Sequence, residues 1–101
     1  MFDCTNVNSP MVTKGEIHQL IIEFGETPNA DIQYKEGYLD TDGNFVSLGI
    51  NKFHAQDKEE EMDTDGNVTQ EASTDFTDLL SVVTSTTDLV SDLETYLVGR
   101  L

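Results

Sequence analysis

The pentapeptide Asp-Thr-Asp-Gly-Asn occurs twice, at residues 40–44 and 63–67, in two different settings. The first copy lies between Gly37-Tyr38-Leu39 and Phe45-Val46-Ser47-Leu48-Gly49-Ile50, where apolar residues alternate. A tight strand connection needs a residue at positive φ, and Asp-Gly followed by Asn supplies one without steric strain. This copy therefore predicts a β-hairpin turn. The second copy follows Asp57-Lys58-Glu59-Glu60-Glu61, and no strand pattern surrounds it, which predicts a charged connector. The chain divides accordingly into an N-terminal arm (1–14), an antiparallel β module (15–55), an acidic linker (56–73) and a C-terminal helical segment (74–101).

Within the β module the period is two. His18, Leu20, Ile22 and Phe24 fall on one face of a strand, and Ile17, Gln19, Ile21 and Glu23 on the other. Gly25-Glu26-Thr27-Pro28-Asn29 ends that strand. Ile32, Tyr34 and Tyr38 then share a face opposite Gln33, Lys35 and Leu39. Beyond the first pentapeptide, Val46, Leu48 and Ile50 alternate with Phe45, Ser47, Gly49, Asn51 and Phe53. Three strands with short connections make an antiparallel meander, and such a sheet needs a cover on its apolar face. The fold class read from the sequence is α+β: a small antiparallel β-meander, an acidic connector, and a C-terminal helix or helix pair.

Charge narrows the partners. The chain has 101 residues and a net charge of -15. Residues 1–53 carry 8 acids and 3 bases, whereas residues 54–101 carry 12 acids and 2 bases. Such a surface repels phosphates, so no nucleic acid and no membrane is expected as a partner. Seven acids lie between Asp57 and Glu71, a composition that is disordered or extended when alone. The hydrophobic fraction of 37%, with no Trp, is lean for a self-sufficient core and points to help from other chains. Met1-Phe2-Asp3-Cys4 has neither a basic start nor an apolar run, so no signal peptide is expected.

Residues 75–101 have helical spacing. Phe76, Val83, Val90 and Leu97 recur every seven residues, with Leu79 and Leu93 three after the first and third of them. Phe76, Leu79, Val83, Val90, Leu93 and Leu97 are the expected interface residues, set against the chain's own sheet or against a neighbour. Ser73 or Thr74 is suited to N-capping, and Asp75 and Asp78 suit the positive helix start. The β-branched, hydroxyl-rich stretch Ser81–Thr87 is a poor helix former. Either one kinked helix or two helices breaking near residues 84–87 are expected.

No catalytic or cofactor site emerges. Cys4 is the only cysteine, which excludes an intrachain disulfide, and it reads as a small apolar filler. His18 and His54 are the only histidines and lack zinc-ligand spacing. Asp63 and Asp65 are the candidate calcium ligands. With Gly66 at position six of an EF-hand loop, position twelve falls on Ala72, so the closing bidentate carboxylate is missing. No metal, no cofactor and no enzymatic activity are expected.

The run Gly37-Tyr38-Leu39-Asp40-x-Asp42-Gly43-Asn44-Phe45-Val46, after an Ile-rich strand, resembles small structural proteins of tailed-bacteriophage virions. The resemblance covers residues 15–55. It implies a non-enzymatic capsid decoration, fibre-base, tail, neck or baseplate piece, made in the host cytoplasm and located in the virion. Its partners would be other virion proteins or copies of itself, as a homo-oligomer or multicopy subunit. The alternative reading is an acidic mimic of DNA that inhibits a host nucleic-acid enzyme through Glu59–Glu61, Asp63 and Asp65.

Overall fold

The computed structural model describes residues 1–101 as an α+β protein. Its strands are β1 (Phe2–Asp3), β2 (Lys14–Glu23), β3 (Asn29–Leu39), β4 (Phe45–Lys58), β5 (Glu61–Met62), β6 (Val68–Gln70) and β7 (Ser73–Thr74). Two helices follow, α1 (Asp75–Ser85) and α2 (Leu89–Val98). The first four strands and β7 form one five-stranded sheet in the order β1-β2-β3-β4-β7, with every pairing antiparallel. The remaining pair, β5 and β6, is a separate hairpin. The molecule is thin and long, 56 × 34 × 19 Å.

Both pentapeptides fold into the same turn. Gly43 and Gly66 take φ of 82° and 83°, and no other residue has a positive φ. In the first turn the Asp40 carboxylate accepts the backbone N–H groups of Asp42 and Asn44 at 2.9 and 2.8 Å. In the second, Asp63 accepts those of Asp65 and Asn67, each at 2.9 Å. A type I turn closed by a glycine at positive φ accounts for both loops. The connector is therefore not featureless, as its composition predicts, but carries a hairpin. Its flanks, Glu61-Met62 and Val68–Gln70, are too short to show an alternating pattern.

Two bulges reset the expected faces. In β2, Ile17 pairs with Tyr34 and Gln19 with Gln33, leaving His18 as an extra residue. Ile17 thus joins Leu20 and Ile22 against the core, although strict alternation sets it opposite them. In β4, Gly49 pairs with Glu36 and Ser47 with Gly37, leaving Leu48 extra. The expected apolar row of β4 fails there: Leu48 and Ile50 are 46% and 66% exposed, and the core is instead reached by Phe53 and Ala55. Close packing at the second bulge requires Gly37, since a Cβ on it would sit 1.8 Å from the Val46 carbonyl oxygen.

The helices cover the end of the sheet where Ala30, Ile32 and Ala55 lie, and these residues share one core with Phe76, Leu79, Leu93, Tyr96 and Leu97. The chain breaks between the helices at Thr86, whose ψ of 146° is extended. Asp88 caps α2 by accepting the Ser91 N–H at 3.2 Å. At α1, neither Ser73 nor Thr74 caps the first turn in the usual way. The Thr77 N–H is instead taken by Asp57 of β4 at 3.0 Å, and the Thr77 hydroxyl also donates to that carboxylate. Those hydrogen bonds, the hydroxyl first, hold the Asp57 carboxyl below its ordinary value.

Because the helix is broken, the seven-residue column does not stay on one face. Phe76, Leu79, Leu93 and Leu97 are buried, Val83 is half-buried, and Val90 is 53% exposed. Arg100 closes the helical pair. Its Nε donates to Asp75 at 3.1 Å and its Nη2 to Asp78 at 2.8 Å, both in the first turn of α1. Its guanidinium carbon lies 3.8 Å from the centroid of the Tyr96 ring.

Candidate interaction surface

One residue in five is acidic, yet the acids avoid two stretches. Residues 43–56 form the longest run without Asp or Glu, and residues 4–15 the next longest. The fold brings them together. Asn6, Ser9 and Val12 line a small cleft of about 100 Å³ with Glu36, Leu48, Gly49 and Ile50. Asn6 anchors the arm by donating its side-chain N–H to the Glu36 carboxylate at 2.9 Å, and Val12 is 3% exposed beneath it. Val7, Met11, Leu48 and Ile50 remain at the surface, at 96%, 61%, 46% and 66% exposure. These four apolar side chains project from an acid-free strip on a strongly acidic molecule.

The same strip contains an unfinished sheet edge. β7 pairs only with Asp57 and Lys58, so β4 has no outer neighbour along residues 45–56. None of the backbone hydrogen bonds outside the helices and ladders involves those residues. One edge group has a local partner: Asn51 Oδ1 accepts the Lys52 N–H at 2.8 Å. An unpaired edge of this length is a template for another strand.

The sheet face turned away from the helices is nearly charge-balanced. The register places Lys14, Lys35, Lys52 and His54 there, together with Glu16, Glu23 and Asp31. His54 Nδ1 lies 2.7 Å from Asp31, and Lys52 is 4.0 Å from the same carboxylate. Four of the five Lys and Arg residues (Lys14, Lys35, Lys52 and Lys58) are on β2, β3 and β4, against five acids on the same strands.

The other concavities have chemistry of their own. A groove of about 580 Å³ runs between the arm and the end of α2, lined by Cys4, Thr13, Tyr34, Asn51, Val98 and Leu101. Burial first, and then the nearby Glu36 carboxylate, pushes both the Cys4 thiol and the Tyr34 phenol up from their ordinary values. A thiol raised in this way is less of a nucleophile, consistent with the packing role expected of Cys4. A second groove, of about 450 Å³, lies between the helices and includes Asp78, Asp92, Tyr96 and Arg100. The Arg100 guanidinium there is already committed to Asp75 and Asp78.

Of the residues expected at an interface, Phe76, Leu79, Leu93 and Leu97 pack inside this chain, and Val90 stays at the surface. The sequence offers Phe2, Val7, Met11 and Val12 of the arm for docking, but it sets Leu48 and Ile50 in the apolar row of β4, because their exposure depends on which strand lies at an edge. Of that edge, only the gap in acids was visible in advance. Comparison with family descriptions, with curated proteins and with solved structures finds no match to this chain.

Proposed function

We propose that this protein is a non-enzymatic structural subunit that works through protein–protein assembly, of the kind found in tailed-bacteriophage virions as decoration, fibre-base, neck, tail or baseplate pieces. The observation that carries the reading is the strip of residues 43–56, where exposed Leu48 and Ile50 lie on the unpaired edge of β4 beside an arm that exposes Val7 and Met11. Apolar side chains beside open backbone donors and acceptors favour a protein partner, whereas the remaining acidic surface keeps the free subunit soluble. The thin core supports the same reading, since only 14 of 101 residues are buried. Mass spectrometry and imaging of purified particles test it: many copies at defined positions are expected. Absence from particles removes the virion reading.

One observation favours a second reading. The acids at Glu59–Glu61, Asp63 and Asp65 are all exposed on or beside the β5–β6 hairpin, rather than on a featureless linker. A folded display of carboxylates is what a DNA mimic requires. Competition with duplex DNA for a nuclease or polymerase at near-stoichiometric protein supports the mimic, and no competition dismisses it.

A further inference from the structure

We infer that the free edge of β4 is a self-association site, at which two copies of this chain join their sheets by antiparallel pairing of β4 with β4 about a twofold axis. The inference rests on the assembly reading above and names both partner and geometry. An edge strand that meets its own copy across a twofold must run antiparallel to it, because the axis reverses the direction of the strand. The free segment, residues 45–56, has its midpoint between Ile50 and Asn51. An axis through Ile50 pairs outward groups with outward groups, so that residues 45–55 of one copy run against 55–45 of the other. The two β7 strands then fall at the level of Asp42 and Gly43, in the turns of the opposite copies.

Charge selects a second copy over most alternatives. Two molecules of net charge -15 repel one another on almost any approach. The free segment has no acid and carries Lys52 and His54. Antiparallel pairing sets Lys58 of one copy opposite Asp42 of the other, and keeps each lysine away from its own symmetry mate. Ile50, exposed in the single chain, meets its own counterpart across the axis, and exposed Leu48 faces the stem of Lys52 of the other copy. The Asn51 side chain satisfies the outward Lys52 N–H in the monomer and is short enough to swing aside.

The test is sedimentation of the full chain from about 1 to about 200 μM, a range that spans ordinary self-association. A concentration-dependent dimer is expected. The Lys52 amide points away from β3, because Asn51 Oδ1 takes its hydrogen, and Ile50 shares its phase two residues earlier. Ile50→Pro therefore removes an outward donor and spares the ladder to β3, and it is expected to weaken dimerisation by at least about tenfold. Ile50→Glu introduces an acid at a side chain that is 66% exposed, so folding is unaffected, and it is expected to weaken dimerisation similarly. Circular dichroism of both variants should match the parent.

A parent that stays monomeric across the range overturns the proposal. So does a dimer that survives both substitutions, because the contact then lies elsewhere. A monomer that is nevertheless found in purified particles sinks this inference while leaving the assembly reading intact, and a β4-dependent dimer missing from particles does the reverse.

Discussion

Leu97→Ala and Val90→Ala, compared in the same background, test how the helices sit on the sheet. Both positions belong to the seven-residue column, so a continuous helix would bury them alike. The structure separates them: Leu97 is 0% exposed and Val90 is 53% exposed. Removing three buried carbons from Leu97 loses their transfer energy and leaves a cavity among Ile32, Leu79, Leu93 and their neighbours, a cost of about 3 kcal/mol. For a domain near 100 residues each kcal/mol moves the melting temperature by about 4–8 °C, so a fall of about 12–24 °C is expected. Val90→Ala should stay within about 0.5 kcal/mol, because lost partial burial is offset by the better helix propensity of alanine. Thermal melts followed by circular dichroism in dilute solution give both numbers. Equal losses at the two sites, or an unchanged Leu97→Ala, would refute the packing of a broken helix pair on its own sheet.

Four further outcomes follow from specific groups. Gly43→Val should destabilise by about 1 kcal/mol or more, read by urea unfolding, because a β-branched residue resists the φ of 82° that closes the turn. Asp57 has a folded pKa below its unfolded value, so its cap on α1 is fully present above about pH 3.8 and is lost as pH falls through the folded value. Asp57→Asn should flatten that acid limb of the stability profile. Tyr96 lies the other way. Burial raises its phenol to about 12 from an ordinary 10, so its contribution is complete below pH 10 and is lost as pH climbs toward 12. Tyr96→Phe should remove that alkaline loss in a pH series of melts. Asn6→Ala removes the donor to the buried Glu36 carboxylate and should cost about 1–3 kcal/mol, with faster proteolysis of the arm as the readout.

The features legible in the sequence were those encoded by neighbouring residues. The turn at residues 40–44 is set by its own Asp and Gly, and the helix break follows from Ser81–Thr87, where hydroxyls bond back to the carbonyls of Leu80 and Ser81. The bulges at His18 and Leu48 were not legible, since one extra residue leaves no compositional trace yet moves every residue beyond it to the other face. The α1 cap escaped for a different reason: its acceptor, Asp57, is 20 residues away in sequence. The free edge of β4 is likewise a property of the topology, visible only once β7 is seen to stop at Asp57.

Amide hydrogen exchange, comparing dilute free protein with the isolated assembly, probes the acid-free strip as the place where this chain meets its partners. Residues 45–56 have open backbone groups on one side, and the arm at residues 4–13 lies beside them. Slower exchange is expected in those two segments on assembly, with the β5–β6 hairpin and the exposed side of α2 around Val90 unchanged. Protection that falls on the hairpin or on α2, with residues 45–56 exchanging as in the free chain, contradicts the account.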